Sequence, residues 1–226
     1  MRLIAIPLIL LTSFSAYGQE QLSSDKQKFS YAIGVQVGQQ IGQNIATQPT
    51  EINKVALIMG ITDIINQSGL KLTVPEMQAA VEKVQADVQK SQQAQGVRNK
   101  IEGENFLAEN KKKSGITTLE SGLQYKVLID GTGAQPTAKD TVVVHYKGTL
   151  IDGTEFDSSY SRGQPISIGL DSVIPGWTEA VQLMKIGSKW QLFIPSNLGY
   201  GENAAGAAIG PNSTLIFDIE LLSINK

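Results

Sequence analysis

The sequence predicts an α+β chain, a helical first half leading into an antiparallel sheet covered by one short helix. Two observations carry this. Between Phe29 and about Lys113, apolar residues recur at helical spacing. From Gly115 onward the chain turns to β-branched residues and turn signals, with a single short helical pattern at Trp177–Met184. Of 226 residues, 41% are hydrophobic and 18% charged, which is ordinary for a globular chain and excludes wholesale disorder.

Taken in order, the chain opens with an address. Arg2 is followed by the apolar run Leu3–Leu11, then by Ala16-Tyr17-Gly18. This is the layout of a secretory signal peptide cleaved after Gly18. As a membrane anchor the run is too short, since a span takes about 20 residues. No cysteine follows, which excludes a lipoprotein anchor, and no later stretch is apolar enough to cross a bilayer. The expectation is an exported chain without a transmembrane segment.

Phe29, Ile33, Val37 and Ile41 then recur every fourth residue, with Gly34, Gly38 and Gly42 on an adjacent stripe. Each helical glycine costs about 1 kcal/mol against alanine. A stripe of them permits close approach of another helix backbone; the alternative is that they mark a loop. A second helix is expected from Glu51 to Asn66, with Thr50 as N-cap and Ile52, Val55, Met59 and Ile65 along one side. Two such helices make a poor core alone, so Ser23–Gly69 is expected to pair with a second copy. Thr73-Val74-Pro75-Glu76 reads as a capping box that opens a helix running to about Lys113. Its apolar stripe, Met77, Val81, Val84 and Val88, fades into a polar stretch, Gln89–Lys100. That pattern predicts a helix bridging domains through solvent, about 60 Å long, with Gly96 and Gly103 as weak points. A charged coiled coil is the alternative, but sustained heptads are missing.

In the last part, Leu123–Ile129, Thr141–Leu150, Lys189–Ile194 and Thr214–Ile224 read as strands, and Asp152-Gly153 as a hairpin turn. The chemistry available is sparse. Lys+Arg is 19 against Asp+Glu 21, a net charge of −2, and aromatics are 6%, so nucleic-acid binding is not indicated. There is no cysteine and one histidine, His145, inside an alternating strand where a structural role fits best. No carboxylate cluster, activated serine or phosphate cradle is present. By contrast, Tyr146, Phe156, Val173-Ile174, Trp177, Tyr200 and Phe217 fall where turns begin. They suit either a core or an apolar cleft with a few polar handles.

Four blocks resemble the FK506-binding-protein (FKBP) type of peptidyl-prolyl isomerase. They are Val144-His145-Tyr146-Lys147-Gly148-Thr149-Leu150 with Asp152-Gly153-Thr154-Glu155-Phe156-Asp157-Ser158-Ser159; Val173-Ile174-Pro175-Gly176-Trp177; Tyr200-Gly201; and Thr214-Leu215-Ile216-Phe217-Asp218-Ile219-Glu220-Leu221. Their order and spacing follow the family over about Gly115–Lys226. Lys28-Phe29-Ser30-Tyr31-Ala32-Ile33-Gly34 and Glu104-Asn105-Phe106-Leu107-Ala108-Glu109-Asn110 are similar to the Mip (macrophage infectivity potentiator) group of exported, dimeric isomerases.

The resemblance implies an FKBP-like sheet wrapped on a short helix, preceded by a long linker helix and an N-terminal helical dimerisation domain. The implied partition is 1–18 signal peptide, 19–72 dimerisation domain, 73–113 connecting helix and 114–226 isomerase domain. It implies no cofactor and no metal. The implied partners are proline-containing polypeptides, a second copy of the chain, and inhibitors of the FK506 and rapamycin type. It places Trp177 as pocket floor, with Tyr146, Phe156 and Phe217 as walls. Asp157 stands at the edge, held by Tyr146 and Arg162. Ile166, Val173, Ile174 and Ile209 complete the substrate pocket. The Ile174 N–H and the Tyr200 hydroxyl are expected to hold substrate carbonyls. Ile166 departs from the phenylalanine of many relatives, which makes that wall less aromatic, and the 202–210 loop is plain and small. The implied activity is rotation about X-Pro bonds in exported or folding proteins, with chaperone activity and a periplasmic or cell-surface location. The alternative is a binding module that holds proline segments without turnover.

Overall fold

A computed structural model describes residues 22–46, 50–206 and 208–225. The expected signal peptide lies outside these residues. The chain divides after Gln48 into two units.

The first unit holds helix α1 (Asp25–Ala46), in which no residue is buried. The helix reading of the glycine stripe holds. A Cβ built on Gly34, Gly38 or Gly42 meets nothing within 4 Å.

The second unit begins with α2 (Lys54–Ile65), which starts three residues later than the spacing predicts. Asn53, not Thr50, is the N-cap; its Oδ1 accepts the Ala56 N–H at 3.0 Å. Asn is the better cap of the two, and its extended backbone at φ −68°, ψ 102° fits that role. Helix α3 (Val74–Asn110) opens with the expected box. The Thr73 N–H donates to Glu76 Oε2 at 2.8 Å, and Thr73 Oγ1 accepts the Glu76 N–H at 3.4 Å.

The solvent-bridging reading of α3 is corrected over its C-terminal half. Gly96, Gly103 and Asn110 are buried there. Gly96 faces Pro211, and Gly103 lies against Thr214 with no room for a Cβ. Asn110 Nδ2 donates to Gln124 Oε1 at 3.0 Å, and Gln124 Nε2 donates to the Leu107 carbonyl at 2.9 Å. The glycines are therefore docking points: a Cβ at Gly103 would run into Thr214, and one at Gly96 would press on Pro211 at 3.1 Å. Sequence alone does not show what approaches them.

The remaining elements are strands β1 (Ile116–Thr118), β2 (Gln124–Ile129), β3 (Thr141–Leu150), β4 (Glu155–Ser158) and β5 (Ile166–Gly169), helix α4 (Pro175–Val181), β6 (Lys189–Ile194), a 3₁₀ turn (Ser196–Leu198) and β7 (Leu215–Asn225). They form one sheet in the order β1-β2-β6-β7-β3-β4, with β5 also paired to β3 and every pairing antiparallel. Alternation works as expected on β3, which buries Val142, Val144 and Tyr146, and on β7, which buries Leu215, Phe217, Ile219 and Leu221. The covering helix is shorter than expected, yet Trp177, Ala180 and Val181 on α4 and Met184 beyond it are buried in the same core. Register sets Gly148 opposite Phe217 on one side and Asp157 on the other. This brings the site residues to one end of the core.

Candidate active site

Trp177 projects from the first turn of α4 and is 4% exposed. Pro175 opens that turn, its fixed φ suiting a helix start. Tyr146 and Phe217 meet the indole edge-on, with ring centroids at 5.3 and 5.2 Å and planes at 82° and 86°. Phe156 from β4 stands edge-on to Phe217 at 5.4 Å. Each such pair adds about 0.5–1.5 kcal/mol beyond area burial. The cluster depends on Gly148. A Cβ there would stand 2.5 Å from the Phe156 ring and 2.7 Å from Phe217. The Trp177 indole N–H is buried with no acceptor among the described residues.

These rings form the base of a cleft of about 660 Å³. Of the eleven residues singled out in the sequence, ten line it, from Tyr146 on β3 to Phe217 on β7. The eleventh, Arg162, reaches the rim through others. It forms an ion pair with Asp157 Oδ1, its Nη2 donates to the Tyr146 hydroxyl at 2.7 Å, and its guanidinium carbon lies 5.5 Å from the Tyr146 ring centroid. The Tyr146 hydroxyl in turn donates to Asp157 Oδ2.

This triangle fixes the charge of the rim. Burial pushes the Asp157 carboxyl up, but the Tyr146 and Arg162 hydrogen bonds and the Arg162 charge outweigh it and hold it below the usual range. Tyr146 is raised, first by burial and then by its bond to Asp157. At neutral pH the cleft therefore presents an ionised, already paired carboxylate and a neutral phenol. Neither is poised to exchange a proton with a substrate.

Ile174 is the N-cap of α4, at φ −61° and ψ 148°, and among the described residues its N–H has no acceptor. Tyr200 follows the 3₁₀ turn and is 42% exposed. Both are donors available to an incoming chain. Ala205 and Ile209 form an isolated bridge, N···O 2.8 and 3.3 Å, which brings Ala205, Gly206, Ala208 and Ile209 to the cleft.

His145 lies behind the wall. Its ring stacks on Tyr160 at 4.6 Å and its Nδ1 is 2.9 Å from Ser159 Oγ. It does not line the cleft, in keeping with the structural role expected of it. Among the described residues, no group of three His, Asp or Glu side chains is placed to hold a metal ion.

The sequence reading missed Ile168 and Ser172 as lining residues and Gly148 as the position that admits the rings. A period-two signal, Ile166-Ser167-Ile168, could have found Ile168 had β5 been assigned.

Comparisons with known proteins bear on the family of the whole chain. The family described as FKBP-type peptidyl-prolyl cis-trans isomerase matches residues 132–222. The domain amino terminal to it matches residues 26–127. The chain is 44% identical to the outer membrane protein MIP of Legionella longbeachae, over 97% of this chain and 94% of that one. It is 37% identical to the peptidyl-prolyl cis-trans isomerase Mip of Coxiella burnetii, over the whole of both. Among solved structures, the crystal structure of FkpA from Escherichia coli superposes with a TM-score of 0.62 at 38% identity, over 90% of this chain and 98% of that one. With both halves matched and identity this high over nearly its full length, the chain belongs to the FKBP-type peptidyl-prolyl cis-trans isomerases.

Proposed function

We propose that the cleft over Trp177 is the isomerase site and that it works without covalent chemistry. The supporting observation is an aromatic floor with one carboxylate among the described lining residues, already neutralised by Arg162. Rotation about X-Pro faces a barrier of about 18–20 kcal/mol from amide resonance. No bond needs to break. At the top of the barrier the amide has lost resonance and much of its charge separation. A water-excluding apolar surface favours that twisted form over the planar, more polar one. In this reading the proline ring packs on Trp177 between Tyr146, Phe156 and Phe217. The Ile174 N–H and the Tyr200 hydroxyl hold neighbouring carbonyls while one side of the chain rotates. Because the rotation transfers no proton, the rate is flat between pH 6 and 8.

The same proposal covers the rest of the chain. Residues 1–18 are an export signal, the helices before residue 73 form a dimerisation domain, and residues 114–226 are the isomerase domain. The helix between them carries each cleft on an arm, and the paired clefts act as a chaperone clamp on unfolded exported clients. Support for the dimer comes from α1, where the glycine stripe is open and Phe29, Ile33 and Val37 are exposed. Among the described residues no helix is long and apolar enough to cross a membrane. The name of the Legionella longbeachae relative, an outer membrane protein, supports a cell-envelope location.

The test is NMR exchange on a short X-Pro peptide, with the mature chain, Tyr200→Phe and Asp157→Ala, with and without FK506, at pH 6 and pH 8. Rapid exchange, equal at the two pH values, suppressed by the drug and weakened by both substitutions, is expected. Drug binding without exchange would replace catalysis by a binding module. Analytical ultracentrifugation at micromolar concentration tests the dimer, and a monomer would overturn it.

A further inference from the structure

The loop that closes the cleft is held from outside the sheet domain. Its two ends meet where the Asn212 N–H donates to the Gly201 carbonyl at 2.7 Å, beside Tyr200. Within it the Ala205–Ile209 bridge sets Ile209, 7% exposed, into the cleft wall. The residues that follow dock on α3. Asn99 Nδ2 donates to the Pro211 carbonyl at 2.7 Å and to Ser213 Oγ at 3.3 Å. Ser213 Oγ donates to the Gly210 carbonyl at 2.8 Å, one residue from Ile209. Asn212 Nδ2 donates back to the Gly96 carbonyl at 3.4 Å, and its own backbone is left-handed at φ +56°. Gly96 and Gly103 supply the flat surface on which Pro211 and Thr214, both buried, can rest.

We propose that Asn99 on α3 is a positioning residue for the cleft: it fixes the base of the 201–212 loop, and so sets which residues next to proline the cleft accepts. The inference rests on the cleft being the isomerase site. Three features carry it. First, the contact is specific, since Asn99 is a half-buried polar side chain spent on one buried carbonyl and one hydroxyl of the loop base. Second, the route to the site is short, because the carbonyl it holds belongs to Pro211, two residues from Ile209. Third, the loop wall is made of the small residues Ala205, Gly206 and Ala208, so beyond the Ala205–Ile209 bridge and the buried Ile209 side chain its position depends on how its base is held. A base held by Asn99 restrains that wall from outside the loop. Displacements of about 1 Å from a distant change can alter catalysis a hundredfold when they reach a reacting geometry, and a pocket wall discriminates substrates by such differences.

The experiment uses the mature full chain. Initial kcat/KM is measured by NMR exchange for two peptides that differ only before proline, one with Leu and one with Ala. In Asn99→Ala the Leu-Pro to Ala-Pro ratio changes about fivefold, the scale of one lost hydrogen bond. The amide resonances of residues 201–210 shift as well. Asn99→Asp, which has no donor for the Pro211 carbonyl, behaves alike. Gly103→Val, which removes the docking surface, changes the ratio in the same direction. Lys100→Ala, exposed on the same helix, leaves the ratio unchanged. Asp157→Ala is run alongside as the site control and lowers both rates together. An unchanged ratio in Asn99→Ala and Gly103→Val, with both rates lost in Asp157→Ala, overturns the inference alone. Undiminished rates in Asp157→Ala overturn the site assignment, and this inference with it.

Discussion

The two ends of this chain treat apolar residues in opposite ways. In the sheet domain Leu192, Ile219 and Leu221 are wholly buried within a single chain. On α1 and α2, side chains of similar size stand open, with Phe29 66%, Val55 72% and Ile65 73% exposed. Burying one such side chain stabilises by about 1.5–3 kcal/mol. The sheet domain draws that from its own residues. In the proposed dimer the first helices draw it from a second copy. One half should therefore melt independently of concentration, and the other should not.

The largest expected effect tests this contrast directly. Leu192→Ala opens a cavity in the sheet core and lowers stability by about 2–5 kcal/mol. Calorimetry at two protein concentrations should give the same loss at both. Ile33→Ala on α1 should destabilise in proportion to association, more at the higher concentration. A concentration-independent loss for Ile33→Ala would break the comparison.

Gly148→Val comes next. The added methyls have no space beside Phe156 and Phe217, and overpacking of this kind costs about 1–3 kcal/mol. Here the strain falls on the cleft wall. Turnover should drop about tenfold or more while the far-ultraviolet spectrum is kept. An active Gly148→Val chain would mean that the rings need not be seated for catalysis.

What could be read in advance follows the same physical line. Strands β3 and β6 were legible to the residue, because ten and six residues give alternation room to show. Strands β1, β4 and β5 have three or four residues, too few for a period to stand out. The cleft was legible mainly through family motifs; chemistry alone marked only rings gathered at turns. Gly148 had no visible reason until the rings on neighbouring strands were placed. Gly96 and Gly103 were misread for the same cause: a missing side chain records a close neighbour without naming it.

Gly38→Ala sharpens the contrast from the helical side. In the single chain a Cβ at Gly38 meets nothing within 4 Å, so alanine should stabilise α1 by about 1 kcal/mol. If the stripe seats a second backbone, the same methyl obstructs it. Dilution should then yield a more helical monomer and a weaker dimer, seen by circular dichroism and ultracentrifugation. Tighter association would remove the stripe from the interface.

The smallest effect lies at the cleft rim and is read through pH. Asp157 has its folded pKa below that of the unfolded chain, despite burial, because the Tyr146 and Arg162 hydrogen bonds and the Arg162 charge favour the carboxylate. Its contribution is therefore complete above the unfolded value of about 3.9 and is lost as pH falls through the folded pKa. The pair is half open, with side chains 45% and 41% exposed, so the contribution is below about 1 kcal/mol. Tyr146 has the opposite sign. Its pKa is raised by burial and by Asp157, so its contribution is present below about 10 and fades as pH rises past the folded value. Asp157→Asn should thus cost stability between about pH 5 and 9, and the gap from the parent chain should close on both flanks. A gap that stays constant down to pH 2 would show that the carboxylate's charge is not what the triangle stabilises, and that Asp157 serves the rim by shape alone.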